Sequence, residues 1–256
     1  MKILITGSKG LIGKELVNKL SNDEIIQYDI GDKLEKDNYD MIIHCAAKCI
    51  IRETIKNPNQ MMDNINITFN IMELARQCNC KKVILLSSNR LTPNLSNPYT
   101  VSKVFLEELG KAYKNCYDID YLIIRPETIW GTNDNIVRVM PNWVSKSLKN
   151  ENIIIYGDKD KELSPLYIDD FSKEFLKLLN IFDDIKNGEP YIITGEVRKA
   201  LEIVNTIIDV ANSKSEIIFK EAEKTQPQKI VLKHINEIRY SGNLVNDIKK
   251  YISDIK

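Results

Sequence analysis

Short apolar runs of four to six residues recur along the chain, separated by longer segments whose apolar residues fall at three- and four-residue spacing. The runs predict strands over 2–6, 24–29, 40–44, 82–87, 119–125, 153–156 and 191–194. The longer segments predict helices over 11–20, 60–78, 99–113, 140–149, 169–182, 199–212 and 243–253. Strands that are apolar on both faces belong to parallel sheets with helices on either side. The alternation therefore predicts an α/β fold, a Rossmann-type doubly wound parallel sheet with a βαβαβ unit at its front. Asn57-Pro58, Asn97-Pro98, Arg125-Pro126 and Met140-Pro141 place a proline at or beside an element boundary. After Gly131 the pattern loosens into shorter strands and mixed helices. The expected division is a nucleotide-binding domain over 1–130, completed by returning segments, and a smaller C-terminal substrate lobe over most of 131–256. That lobe would cover the carboxyl edge of the sheet, where ligands bind in this architecture.

Composition narrows the class. The 256 residues carry 36 Lys+Arg against 36 Asp+Glu, so the balance gives no basic excess for nucleic acid or an anionic membrane surface. The apolar runs are far below the ~18–20 residues that span a bilayer. Ile3-Leu4-Ile5 is too short for a secretion signal, so a cytoplasmic protein is expected. Five scattered cysteines (Cys45, Cys49, Cys78, Cys80 and Cys116) fit reduced thiols. With two histidines and no second cysteine pair near Cys78-Asn79-Cys80, no metal site is expected.

Gly7, Gly10 and Gly13 follow the first predicted strand and open the first predicted helix. Such a turn lets backbone approach a pyrophosphate, and the helix N-terminus favours the anion. Gly7, Lys9, Gly10, Leu11, Ile12 and Gly13 are thus candidate dinucleotide-binding residues. Asp29 ends the next strand, 19 residues after Gly10, where a carboxylate accepts hydrogen bonds from the adenosine ribose. A 2′-phosphate would meet like charge there, so NAD is favoured over NADP, although Lys9 could reach such a phosphate.

A second constellation joins Ser88, at the end of the fourth strand, to Tyr99 and Lys103 on the following helix. Four residues apart, tyrosine and lysine share a helical face. A nearby ammonium and an oxidised nicotinamide would bring the phenol from its ordinary ~10 toward neutrality, making it an acid/base. A serine hydroxyl on the adjacent strand end can hold the substrate oxygen.

At this point the chain resembles the extended short-chain dehydrogenase/reductases, specifically the NAD-dependent epimerase/dehydratase family of nucleotide-sugar enzymes. The resemblance is carried by Thr6 to Gly13, by His44-Cys45-Ala46-Ala47, by Asn64 to Asn70, by Ser87-Ser88, by Tyr99 with Lys103, and by Arg125 to Gly131. Ile155 to Asp158 and Tyr167 to Asp170 resemble its substrate-lobe segments. The resemblance implies Ser88, Tyr99 and Lys103 as catalytic residues. It adds Cys45, Ala46, Ala47 and Pro126, with Tyr99 and Lys103, to the NAD site, and makes His44 structural. It also implies a homodimer built from the helices at 60–78 and 99–113, with stripes Ile67, Ile71, Leu74 and Val101, Phe105, Leu109.

Several positions depart from the family pattern. Only 11 residues separate Ser88 from Tyr99, with Thr92-Pro93 in place of a longer loop. Asn89-Arg90 stands where sugar 4,6-dehydratases carry an acid and a base, which argues against dehydration. Ile67 replaces a glycine, Thr128 an asparagine near the sugar, and Leu163 the arginine that meets the nucleotide diphosphate. Arg125, Arg138, Arg198 and Arg239 are the candidate substitutes for that arginine. The leading expectation is an NAD-dependent oxidoreductase acting on a nucleotide-sugar substrate, as a C4 epimerase or 4-ketoreductase. The alternatives are a dehydrogenase of a non-nucleotide carbonyl or hydroxyl compound, and a non-catalytic NAD(P)-sensing protein.

Overall fold

The computed structural model describes all residues except 92–95, 159, 186–187, 222–235, 241 and 256, so the loop containing Thr92 and Pro93 lies outside the described residues. The chain runs through β1 (Lys2–Thr6), α1 (Leu11–Lys19), β2 (Glu24–Tyr28), β3 (Met41–His44), α2 (Ile51–Lys56), α3 (Asn59–Gln77), β4 (Lys82–Leu86), α4 (Pro98–Tyr117) and β5 (Asp120–Pro126). It continues through β6 (Ile129–Trp130), α5 (Val139–Leu148), β7 (Ile153–Tyr156), β8 (Glu162–Leu163), β9 (Leu166–Tyr167), α6 (Ile168–Asn180) and β10 (Tyr191–Thr194). It ends with β11 (Arg198–Lys199), α7 (Ala200–Ala211), β12 (Ile217–Lys220), β13 (Glu237–Arg239) and α8 (Leu244–Asp254).

Seven strands form one parallel sheet in the order β13-β10-β5-β4-β3-β1-β2. The chain steps outward from β1 to β2, then returns to β3 on the other flank of β1. The topological switch therefore lies between the carboxyl ends of β1 and β3, where a ligand crevice opens in such sheets. β10 and β13 come from the C-terminal half and extend the sheet beyond β5. The predicted strand at 153–156 lies outside this sheet, pairing in parallel with β12.

The expected βαβαβ order fails at one connection. No helix joins β2 to β3, and the connector at 29–40 contains neither helix nor strand. Leu34 and Tyr39 pack from this connector onto the cluster beneath α3 and α4 and cover the surface a crossover helix would otherwise bury. The two- and three-residue strands β6, β8, β9, β11 and β13, together with α2, are also absent from the sequence expectation. Elements of two to six residues are too short to display a period.

One core cluster lies between the sheet, α1 and the C-terminal elements and includes Leu16, Trp130, Phe171, Phe175, Ile203 and Ile248. A smaller one lies under α3 and α4. α4 reaches the sheet through Gly110, where a Cβ would stand 2.8 Å from Leu85 Cδ1 and 3.0 Å from Tyr121 Cδ2. This contact fixes the depth at which α4 presents its N-terminal turn. Ile71 and Leu74 are buried and Ile67 packs partly against the same cluster, so the apolar stripe assigned to a dimer on α3 belongs mostly to the core. The exposed apolar residues on these helices include Met62 and Phe69, seven apart on α3, and Val101 and Val104, three apart on α4. Truncating Phe171, which is fully buried, is expected to lower stability by about 3–5 kcal/mol, measured as the urea midpoint shift of Phe171→Ala at unchanged slope.

Candidate active site

The glycine turn is built by close approach. Gly7 has φ +67°, and a Cβ on it would lie 2.8 Å from the Ala46 backbone. A Cβ on Gly13 would lie 2.1 Å from the Gly7 carbonyl oxygen. Helix α1 starts at Leu11 with no side-chain cap and no acidic residue in its first turn, so its leading N–H groups face outward with a partial positive charge. Asp29 sits at the mouth of this turn, its Oδ2 accepting the Lys9 N–H at 2.8 Å and its Oδ1 the Ile30 N–H at 2.8 Å. Lys9 turns its ammonium to Asp32 at 3.8 Å, which places its charge on a carboxylate. Cys45, Ala46 and Ala47 leave β3 beside Gly7 and are partly open to solvent. A cradle without side chains, an uncapped helix end and a ribose-position carboxylate fit a dinucleotide.

A buried hydrogen-bond chain connects this turn to α4. Thr68 donates to the Asn64 carbonyl at 2.8 Å, so its hydroxyl oxygen must accept from His44 Nε2–H at 3.1 Å. His44 Nδ1 then accepts from the Thr6 hydroxyl at 2.8 Å, and Thr6 Oγ1 accepts the Ala46 N–H at 3.3 Å. From Asn64 the side-chain amide donates to Ser102 Oγ at 3.2 Å, which donates to the Tyr99 carbonyl at 2.7 Å. Burial, with the Lys103 charge adding to it, holds the imidazole down to about 3 and therefore neutral.

Tyr99, Ser88 and Lys103 meet at the end of β4. The Asn97 capping box with Thr100, and Pro98 in the first turn, start α4 just before Tyr99. Lys103 donates to the Leu86 carbonyl at 2.6 Å, and its Nζ lies 6.0 Å from the Tyr99 ring centroid. Of the two adjacent serines, Ser87 donates to Glu107, while Ser88 accepts the Arg90 N–H at 3.2 Å and faces the Tyr99 phenol. Pro126 lies across the strand end and receives the Asn89 N–H on its carbonyl at 3.3 Å.

The protein's own groups do not lower the phenol as expected from Tyr99 and Lys103 alone. Burial, with the Cys49 thiol adding to it, pushes Tyr99 up to about 12, against the Ser88 hydroxyl and the charges of Arg90 and Arg138. Burial likewise pulls Lys103 down to about 8. The arrangement stores a neutral phenol beside a readily deprotonated ammonium, so a further positive charge is needed to favour phenolate.

The four arginines named as substitutes for Leu163 are all engaged. Arg125 makes a two-pronged contact with Glu107 at 2.8 and 2.6 Å, Arg138 pairs with Asp134, Arg198 with Glu196 and Arg239 with Glu237. Besides these four, the Arg90 charge bears on Tyr99 as the Arg138 charge does, and on Lys161 as well. The signal for Arg90 was its position two residues after Ser88.

Residues 3–194 match the sequence model of the NAD dependent epimerase/dehydratase family. The chain is 26% identical over 275 residues to a putative UDP-glucose 4-epimerase of Methanocaldococcus jannaschii, covering 90% of this chain and 89% of that protein. It is 22% identical to a dTDP-glucose 4,6-dehydratase of Shigella flexneri over 86% of this chain and 79% of that one. Among solved structures, UDP-glucose 4-epimerase of Thermotoga maritima superposes with a TM-score of 0.85 at 16% identity, covering both chains fully. Bacillus cereus UDP-glucuronic acid 4-epimerase, in complex with UDP-glucuronic acid and NAD, gives 0.83 at 19%, again over both whole chains. Among the described residues, no helix is long and apolar enough to cross a membrane.

The histidine predicts a pH dependence of folding. An unfolded chain protonates it near 6.5, whereas the folded protein keeps it neutral down to about 3. Between these values the unfolded state binds more protons, so acidification destabilises the fold, and above pH 6.5 the contribution is flat. Urea midpoints for wild type and His44→Gln, taken from pH 7 to 4.5, should show a shallower acid-side loss in the variant. Equal slopes would mean that His44 is not held neutral.

Proposed function

The chain belongs to the NAD-dependent epimerase/dehydratase family, and on that premise we propose that it binds NAD(H) and shifts hydride at a carbon of a nucleotide-linked sugar, as a C4 epimerase or a 4-ketoreductase. The observation that carries this reading is the meeting of Ser88, Tyr99 and Lys103 at the end of β4, next to the glycine turn at the β1–β3 switch. Gly7, the Lys9 to Gly13 backbone, Asp29, Cys45 to Ala47 and Pro126 would hold the dinucleotide. When bound in its oxidised form, that cofactor supplies a hydride acceptor and the positive charge that the Tyr99 environment lacks. Tyr99 then takes the proton of the sugar hydroxyl, or returns it in the reductive direction. Ser88 orients the same oxygen from the opposite side. Lys103, tethered to the Leu86 carbonyl, keeps a positive charge one helical turn from the phenol. Asn89 and Arg90 supply neither an acid nor a base at neutral pH, so removal of water from the sugar is not part of this reading.

Asp29 sets the cofactor preference. Calorimetric titration should give tighter binding of NADH than of NADPH, and Asp29→Ala should narrow the difference. A wild-type preference for NADPH would overturn the assignment.

Turnover should rest on the phenol. On a panel of nucleotide sugars, Tyr99→Phe is expected to lower kcat by about 10²–10⁴-fold while NADH affinity survives. Lys103→Met should weaken both, and Ser88→Ala should be milder. A Tyr99→Phe enzyme with near wild-type kcat would remove the mechanism.

A homodimer through the outer faces of α3 and α4 completes the reading, because Met62, Phe69, Val101 and Val104 offer an apolar face of helical spacing. Light scattering at micromolar concentration should give twice the 29.5 kDa chain mass, and Phe69→Glu should halve it. A wild-type monomer would reject the interface.

A further inference from the structure

Helix α4 turns two of its charged residues inward where it crosses the strand ends. Lys103 and Glu107 are one turn apart on it and reach consecutive residues of β4 and its exit: the Lys103 ammonium donates to the Leu86 carbonyl at 2.6 Å, and the Ser87 hydroxyl donates to Glu107 Oε1. Arg125, on the neighbouring strand β5, closes a fork on the same carboxylate, Nε to Oε1 at 2.8 Å and Nη2 to Oε2 at 2.6 Å. The Arg125 and Glu107 side chains are only 14% and 13% exposed, and Ser87 is buried. Gly110 continues the same face of α4 into Leu85 and Tyr121, so close apolar contact already seats the helix on β4 and β5. An ion pair this deep adds little stability that apolar residues of similar volume would not also give. Its charge is the feature to account for. The titratable groups facing the Lys103 ammonium are Tyr99 and Glu107 from α4, His44 from the end of β3, and Cys45 and Cys49 from the segment that follows. Burial holds the phenol, the imidazole and the Cys45 thiol neutral. Glu107 is the carboxylate of this set, and it opposes the burial that draws the ammonium down to about 8.

We propose that Glu107, clamped by Arg125, is a positioning residue for the hydride transfer: it acts through Lys103, as the fixed counter-charge of the buried ammonium, and Ser87 ties it to the strand that presents Ser88. This rests on the Ser88–Tyr99–Lys103 reading above. Two hydrogen-bonded rungs, Lys103 to Leu86 and Ser87 to Glu107, hold the carboxylate and the ammonium at one separation, which a lone flexible side chain would not keep. Arg125 sets the strength of the effect. Its guanidinium balances part of the carboxylate's charge, so Glu107 and Arg125 bear on Lys103 with opposite sign.

The test follows NADH binding to the full chain by calorimetry between about pH 6.5 and 9.5, the range in which the Lys103 ammonium gives up its proton. Wild type should lose affinity on the alkaline side, and Lys103→Met should bind weakly without that alkaline limb. Glu107→Gln keeps an acceptor for Ser87 and removes the charge, so its limb should move to lower pH by at least about 0.5 unit. Arg125→Gln leaves the carboxylate uncompensated and should move the limb to higher pH. Ser87→Ala cuts the hydrogen bond without changing any charge and should leave the limb at its wild-type pH. An unmoved limb in Glu107→Gln overturns the proposal. So do shifts of the same sign in Glu107→Gln and Arg125→Gln, or a shift in Ser87→Ala as large as that in Glu107→Gln, because each would reduce the pair to packing. If Glu107→Gln does not fold, the direction of the Arg125→Gln shift decides alone. A limb that is missing in wild type, or that persists in Lys103→Met, would remove Lys103 from the dinucleotide site and the proposal with it. A limb that Lys103→Met abolishes and Glu107→Gln leaves in place refutes the proposal and spares the Ser88–Tyr99–Lys103 reading.

Discussion

The site depends on one neutral imidazole. His44 sits at the end of β3, shielded from solvent, with a donor and an acceptor in fixed order: Thr6 on one side, Thr68 on the other. Because Thr68 spends its proton on the Asn64 carbonyl, only the Nε2–H tautomer closes the chain. Protonating His44 would set two donors against Thr6 and Thr68, and Thr6 would have to turn away from it. The consequence reaches both halves of the site. Thr6 also receives the Ala46 N–H and so fixes the strand exit against which Gly7 packs, while Asn64 passes the connection to Ser102 and the first turns of α4. The glycine turn and the Tyr99 turn are thereby held in one register by a chain of buried polar side chains.

That rigidity explains how Tyr99 and Lys103 can both be held inside the protein. Lys103 is drawn inside by the Leu86 carbonyl and the close approach of α4 at Gly110, and Tyr99 follows it one turn earlier. Both are then disfavoured in their charged forms. A buried phenol near 12 and a buried ammonium near 8 are poised so that a single added positive charge, arriving beside the ring, changes the protonation balance.

The sheet and the glycine turn were legible in the sequence because each leaves a local signature. Seven apolar runs became seven strands, and the spacing from Gly10 to Asp29 placed the carboxylate at the turn, where it now receives the Lys9 N–H. The connector at 29–40 was not legible, because Leu34 and Tyr39 replace a helix with two isolated contacts and no period. The division of the α3 stripe was illegible for a related reason: a helix that is apolar on two faces shows one broad stripe in sequence, and only the packing of Ile71 and Leu74 into the core separates them. The Ser88–Tyr99–Lys103 set was readable, but the direction of the phenol's shift was not. Position in sequence reveals the neighbouring charge and hides the burial that outweighs it.

The same limit governs the cations. Sequence offers Arg125, Arg138, Arg198 and Arg239 alike, and the ranking changes only when their partners are known. Arg125 is locked to Glu107, which also holds Ser87, so removing that arginine from the substrate's reach is part of building the β4 end. Arg90 has no such duty among the described residues, where its backbone N–H rests on the Ser88 hydroxyl. Asn89 and Arg90 sit beside Ser88 without disturbing the meeting of Ser88, Tyr99 and Lys103 at the end of β4.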